Sequence, residues 1–206
     1  MADSSEPAPP QAVEAGEAPA PTAARKSDPT EEYRAFLAIK ERLPAVEKTV
    51  QGEACTYTLH AGSLVVSAAD GSELWRSDPY WWVDDFALAD VDGDGNEDFL
   101  FTLWKSYSFY GDPPQGVEAD DPAVKNHLFL YSMRGSAAKQ LWCSSNLSRP
   151  ICTFELEHAA HLESPVSSGM KLITQEGEYR ADFAPLPTQT HEYLWEGWGF
   201  TPQTPA

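Results

Sequence analysis

The chain is poor in cysteine and in positive charge, and it has no long apolar run. Three cysteines, Cys55, Cys143 and Cys152, stand in 206 residues. An odd count cannot complete a disulfide framework, and without a C-x-x-C pair a structural zinc site is not expected. Cys143 and Cys152 are spaced to pair across neighbouring strands; the plainer reading makes all three small core residues. Lys and Arg number 14 against 32 Asp and Glu, a formal charge of −18. Such a chain is a poor partner for nucleic acid or an anionic membrane. No run of 18 apolar residues occurs, so no transmembrane helix is expected. There is no G-x-S-x-G elbow, no Gly-rich phosphate loop and no arguable Ser-His-Asp order.

Residues 1–29 also lack large apolar side chains and hold eight Ala and six Pro. That composition reads as a disordered leader or linker. Met1 runs directly into Ala, Asp, Ser and Pro, with no signal segment. Leaders of this kind follow the cleavage site of exported proteins and lipoproteins, so a secreted or cell-envelope location is expected, with the leader's own signal removed. Over residues 30–44 the sequence predicts a short helix. Thr30 caps it or Pro29 sits in its first turn, Tyr33, Phe36, Leu37 and Lys40 recur at helical spacing, and Pro44 ends it.

What the chain does have is Asp90-Val-Asp92-Gly-Asp94-Gly-Asn96-Glu-Asp98. Carboxylates at positions 1, 3, 5 and 9 of a loop with two glycines suit a hard cation that wants several oxygen ligands. Asp90, Asp92, Asp94 and Asp98 offer side chains, and Asn96, at position 7, its backbone carbonyl. Four carboxylates so close would repel one another without a cation. An EF-hand is excluded because its twelfth position, a bidentate Glu, is Phe101 here. The flanks, 81–89 and 98–104, read as strands, the second buried on both faces. Asp98 then closes the site in place of the missing Glu, and Ca²⁺ is the expected ion.

The stretch from Ala89 to Leu100 resembles the repeat motif of FG-GAP/VCBS-type proteins, including the integrin α-subunit propeller. The resemblance implies a Ca²⁺ loop within a β-hairpin of a propeller blade, ligated by Asp90, Asp92, Asp94, Asp98 and the Asn96 carbonyl. It covers about a dozen residues, and the loop occurs once where the family repeats it.

Beyond residue 45 the expected strands are 54–59, 63–68, 73–76, 81–89, 98–104, 127–133, 139–143, 150–157, 169–175, 178–184 and 190–198. Asp70-Gly71 is a hairpin turn signal. A weak repeat relates 64–90 to 128–158. Leu64-Val65-Val66, Asp70-Gly71, Leu74-Trp75, Phe86 and Leu88 match Leu128-Phe129-Leu130, Arg134-Gly135, Leu141-Trp142, Phe154 and Leu156. His158 stands where Asp90 stands, so the second unit lacks the acidic loop. A third unit spans Met170 to Phe200. Residues 45–202 are therefore expected to form an all-β, small or incomplete propeller-like assembly of about three blades.

Other constellations carry less. His158 and His161 suggest a second metal pair; His60, His127 and His191 read as satisfied structural histidines. Asp84 and Asp85 point to opposite faces of a strand, so they cannot work as a glycosidase pair, though one can orient the loop. Tyr80, Trp81, Trp82, Trp104, Trp195 and Trp198 could line a sugar-stacking face. The irregular segment 106–121 is long enough to fold back on the metal loop. Asn146-Leu147-Ser148 matches a glycosylation sequon. The expected function is an exported, non-catalytic Ca²⁺-binding module serving binding or adhesion, with a protein or glycan partner. The alternative is a Ca²⁺-dependent carbohydrate-binding protein or a polysaccharide-active hydrolase or lyase.

Overall fold

A computed structural model describes residues 30–43, 46–106, 121–159, 168–184 and 186–203. The leader 1–29, Pro44, most of the 106–121 segment and His161 lie outside the described residues. The protein is all-β with one helix, α1 (Glu31–Lys40), and twelve strands among the described residues. The first sheet is β1 (Glu47–Gln51), β2 (Thr56–His60), β3 (Ser63–Ser67) and β4 (Glu73–Arg76). The second is β5 (Trp82–Ala89), β6 (Asp98–Ser106), β7 (Val124–Arg134) and β8 (Ala137–Cys143), and the third is β9 (Ile151–His158), β10 (Met170–Glu176), β11 (Gln189–Trp195) and β12 (Phe200–Pro202). Each is an antiparallel meander with strands in chain order.

The three sheets stack face on face. Tyr57, Leu59, Leu64 and Val66 of the first pack with Phe86, Phe99, Phe101 and Leu103 of the second. On the other face of the second sheet, Leu100, Leu128 and Leu130 pack with Phe154, Leu172 and Trp195 of the third. Strand β6 therefore buries every residue, as its continuous apolar run predicts. Both outer faces of the stack are mostly polar, with Val65 on the first sheet and Ile173 and Leu194 on the third set among polar neighbours. The first sheet turns out rows such as Glu47–His60–Ser63 and Thr49–Thr58–Val65. The third turns out Thr153–Gln175–Thr190 and Glu157–Lys171, with Lys171 Nζ 3.1 Å from Glu157 and 3.6 Å from Glu192.

The repeat is real but out of phase with the sheets. Its two copies cover β3–β4–β5 and β7–β8–β9, the last two strands of one sheet and the first of the next. The third unit, from Met170, begins one strand earlier in the pattern. Two further expectations are corrected. Residues 178–184 form no strand; Phe183 takes a left-handed φ of +50° in a turn closed by its N–H on the Arg180 carbonyl. Tyr179 and Phe183 instead pack against Phe36 and Trp104. The strand expected at 190–198 ends at Trp195, and Gly197, at φ +80°, turns the chain into β12. The polar edge strand β1 is the one addition at the N-terminal side.

Helix α1 closes the end of the second sheet remote from the acidic loop. Tyr33 and Phe36 pack with Trp104, Val124 and Trp82. Lys40 Nζ, almost wholly enclosed, meets Asp84 at 2.8 Å, and the Trp104 indole donates to the same carboxylate. Thr30 is the N-cap: its Oγ1 accepts from Tyr33 N at 3.0 Å and lies 2.8 Å from Ser106 Oγ. Thr30→Ala should cost about 1 kcal/mol, read as a lower urea midpoint with an unchanged slope. No helix among the described residues is long and apolar enough to cross a membrane.

Candidate metal centre

The acidic loop joins β5 to β6, strand to strand, as its flanks predict. Ala89 pairs with Asp98 across the hairpin, so the residues that open and close the loop are held together by the ladder. Between them Gly93 and Gly95 adopt φ of +77° and +84°, where a side chain would be strained. The carboxylates organise the turn by accepting backbone N–H groups. Asp90 takes Gly93 N and Gly95 N, each at 2.9 Å, one on each oxygen. Asp92 takes Asp94 N at 3.1 Å.

Asp98 is fully buried on β6. Its Oδ2 accepts from Val91 N at 3.0 Å and Asp92 N at 3.4 Å. Its Oδ1 makes no hydrogen bond of good geometry, and neither does Ser132 Oγ, buried directly across the ladder on β7. One oxygen each from Asp90, Asp92 and Asp98 gathers within 4.8 Å of the others. Oxygens bound to one Ca²⁺ at about 2.4 Å lie no more than about 4.8 Å apart, so the spacing fits that ion. Burial pushes the Asp98 carboxyl up to about 6, tempered by Ser132 and reinforced by the Asp92 charge. Asp92 is also raised, by burial first and then by Asp94 and Asp90.

The Asp94 carboxylate is not one of these three. Asp94 Oδ1 accepts Asn96 N and Nδ2 at 2.9 and 2.8 Å, and its Oδ2 pairs with Arg134 at the end of β7. Asn96 and then Arg134 hold the Asp94 carboxyl below its usual range. Neighbouring loops brace both flanks. Ser168 Oγ donates to the Val91 carbonyl at 2.5 Å, and Glu97 Oε1 accepts from Glu53 N at 3.3 Å. Arg134, Ser132 and Ser168 carry no local sequence signal, since they reach the loop only through sheet pairing and stacking.

The other candidates separate in space. Asp84 pairs with Lys40, and Asp85 with Lys48 at 2.7 Å; both lie toward the start of β5, away from the loop. Trp104 and Trp195 are buried, Trp81 packs edge-on against Phe129 between the first two sheets, Trp82 packs on the helix, and Trp198 is 72 % exposed on a turn. They form no common face. His60 meets Glu47 at 3.1 Å on the surface, and His191 Nδ1 meets Glu176 at 3.1 Å. His127 departs from the expectation of a satisfied histidine, being buried with neither ring nitrogen in a hydrogen bond of good geometry. The three cysteines are free, Cys55 buried, Cys152 partly so and Cys143 exposed. No family model, curated protein or solved structure matches the chain.

Proposed function

We propose that this protein is an exported, non-catalytic Ca²⁺-binding module of the FG-GAP/VCBS type, in which one cation staples the β5–β6 hairpin. The observation that carries this reading is Asp98. A fully buried carboxylate brings one oxygen within 4.8 Å of oxygens from two further carboxylates, and its Oδ1 makes no hydrogen bond of good geometry, while Arg134 is engaged by Asp94. Burying such a charge uncompensated is costly, and a divalent cation removes the cost. Asp90, Asp92 and Asp98 would hold the ion, with Asp94 and the Asn96 carbonyl joining once Asp94 leaves Arg134. Three stacked four-stranded meanders support a propeller-like arrangement of three blades.

The ion would fix the end of the stack where the acidic loop meets the segments around Glu53 and Ser168, and that rigid end is the surface offered to a protein or glycan partner. Partly exposed ligands match the weak affinities of extracellular modules, roughly 10⁻⁴–10⁻³ M.

Calorimetric titration and thermal melting test this directly. At free Ca²⁺ tenfold above Kd the protein should gain about 1.4 kcal/mol over the chelated form. Asp92→Ala should lose the gain. Identical melting of the wild-type protein in Ca²⁺ and in chelator would overturn the reading.

A further inference from the structure

A cleft of about 300 Å³ opens between the second and third sheets, at the end of β10 away from the acidic loop. Its walls include Leu128 and Leu172 and three aromatic side chains, Trp142, Tyr193 and Phe200. The Trp142 and Phe200 rings stand 5.7 Å apart at 75°, making a corner. Gly199 lets the indole settle there, because a Cβ at that position would come within 2.7 Å of Trp142 Nε1. A cavity of this size, apolar with few polar groups, is typical of a small-molecule site.

One charged side chain lines it, Glu176, the last residue of β10 and 7 % exposed. Its Oε1 accepts Thr174 Oγ1 at 2.9 Å and Tyr193 OH at 2.8 Å. Its Oε2 accepts Gln189 Nε2 at 3.4 Å and lies 3.1 Å from His191 Nδ1. Burial pushes this carboxyl up, but the hydrogen bonds from Tyr193 and Thr174 and the neighbouring His191 ring outweigh it and leave it below its usual range. The group is therefore an anion at neutral pH.

A carboxylate has about four lone-pair sites; three here accept hydrogen bonds, and the His191 ring crowds the remaining side of Oε2 at 3.1 Å. Glu176 thus presents negative charge with its acceptor sites crowded. A primary ammonium head would have to displace one of these donors to hydrogen-bond the carboxylate. A neutral ligand would leave the charge unused, and an anion would be repelled. A fully alkylated ammonium needs no acceptor; it needs a nearby negative charge and the faces of aromatic rings.

We propose that this cleft binds a small organic cation bearing a quaternary ammonium group, its methyl groups against Trp142, Tyr193 and Phe200 and its charge toward Glu176. The site shares no residue with the acidic loop, so it is tested in chelator as well as in Ca²⁺.

The probes are choline, its uncharged carbon isostere 3,3-dimethylbutanol, and propylammonium, each titrated into the full chain while the Trp142 indole N–H is followed by NMR. Choline should shift that resonance saturably, with about tenfold tighter binding than either competitor. Trp142→Leu and Glu176→Gln should each weaken choline by about tenfold with the remaining amide spectrum intact. The wild-type comparison decides the matter even if a variant fails to fold. Equal binding of choline and the neutral isostere, tighter binding of propylammonium, or no saturable shift with choline would each overturn the proposal.

Discussion

Asp98→Asn should raise the melting temperature of the metal-free protein at pH 7 while abolishing its response to Ca²⁺. The two effects have one cause. Folding the metal-free chain takes Asp98 from water into a fully buried position next to Asp92. Its carboxyl then titrates at about 6 against an ordinary value of 3.8. A group whose folded value is raised favours the fold while protonated. Its contribution is complete below about pH 3.8 and is lost as pH rises through about 6, a difference of about 3 kcal/mol. Asparagine keeps the shape and one carbonyl for Val91 N and Asp92 N, and its amide gives Ser132 a partner. Removing the charge therefore recovers up to about 3 kcal/mol in chelator at neutral pH. With the charge gone, the cation loses its buried ligand. Melting curves in chelator and in Ca²⁺ from pH 4 to 7 check both halves. A lower melting temperature for Asp98→Asn in chelator would mean that the charge itself supports the fold.

His127→Leu should make the protein resistant to mild acid. His127 is buried on β7, and burial, then the nearby Lys105 charge, holds its ring down to about 3. The sign is opposite to that of Asp98. A depressed histidine favours the fold while neutral, so its contribution is complete above about 6.5 and is lost as pH falls toward 3. By pH 4 the loss reaches about 3 kcal/mol. Leucine has similar volume and no proton to gain, so the variant should melt near wild type at pH 7 and well above it at pH 4.

Between about pH 4 and 6 the two groups pull against each other in the metal-free chain. Wild type in chelator should be nearly flat there. Asp98→Asn should uncover the histidine's slope, His127→Leu should uncover the aspartate's, and the double variant should be flat again. Urea midpoints across that window provide the measurement. Parallel slopes in all four proteins would sink this account.

Local chemistry made much of this protein legible in its sequence. The acidic loop, its glycines and its strand-to-strand setting follow from nine residues and their apolar flanks. The apolar run 98–104 announced an inner strand of the middle sheet. Side chains that act across the fold were invisible. Arg134 meets Asp94 only because β7 lies beside β6, and Glu176 gathers Thr174, Gln189, His191 and Tyr193 through pairing of β10 with β11. Residues 178–184 alternate like a strand, yet Tyr179 and Phe183 are drawn to the helix cluster. The repeat misled in phase because its period matches the stacking while its landmarks, Trp75 and Trp142, lie on the fourth strand of each sheet.

The polar outer faces have a consequence for growth of the array. Of the three sheets, the middle one alone presents two greasy sides, and its neighbours present one each. A second copy of residues 82–143 spliced in after Cys143 would meet apolar surface above and below, lengthening the stack from within. The same sheet added beyond either outer face would meet mostly threonines and charged side chains, with only isolated Val65, Ile173 and Leu194 to pack against. The molecule can thus be extended like a book given more pages, between covers that offer an added sheet little apolar surface.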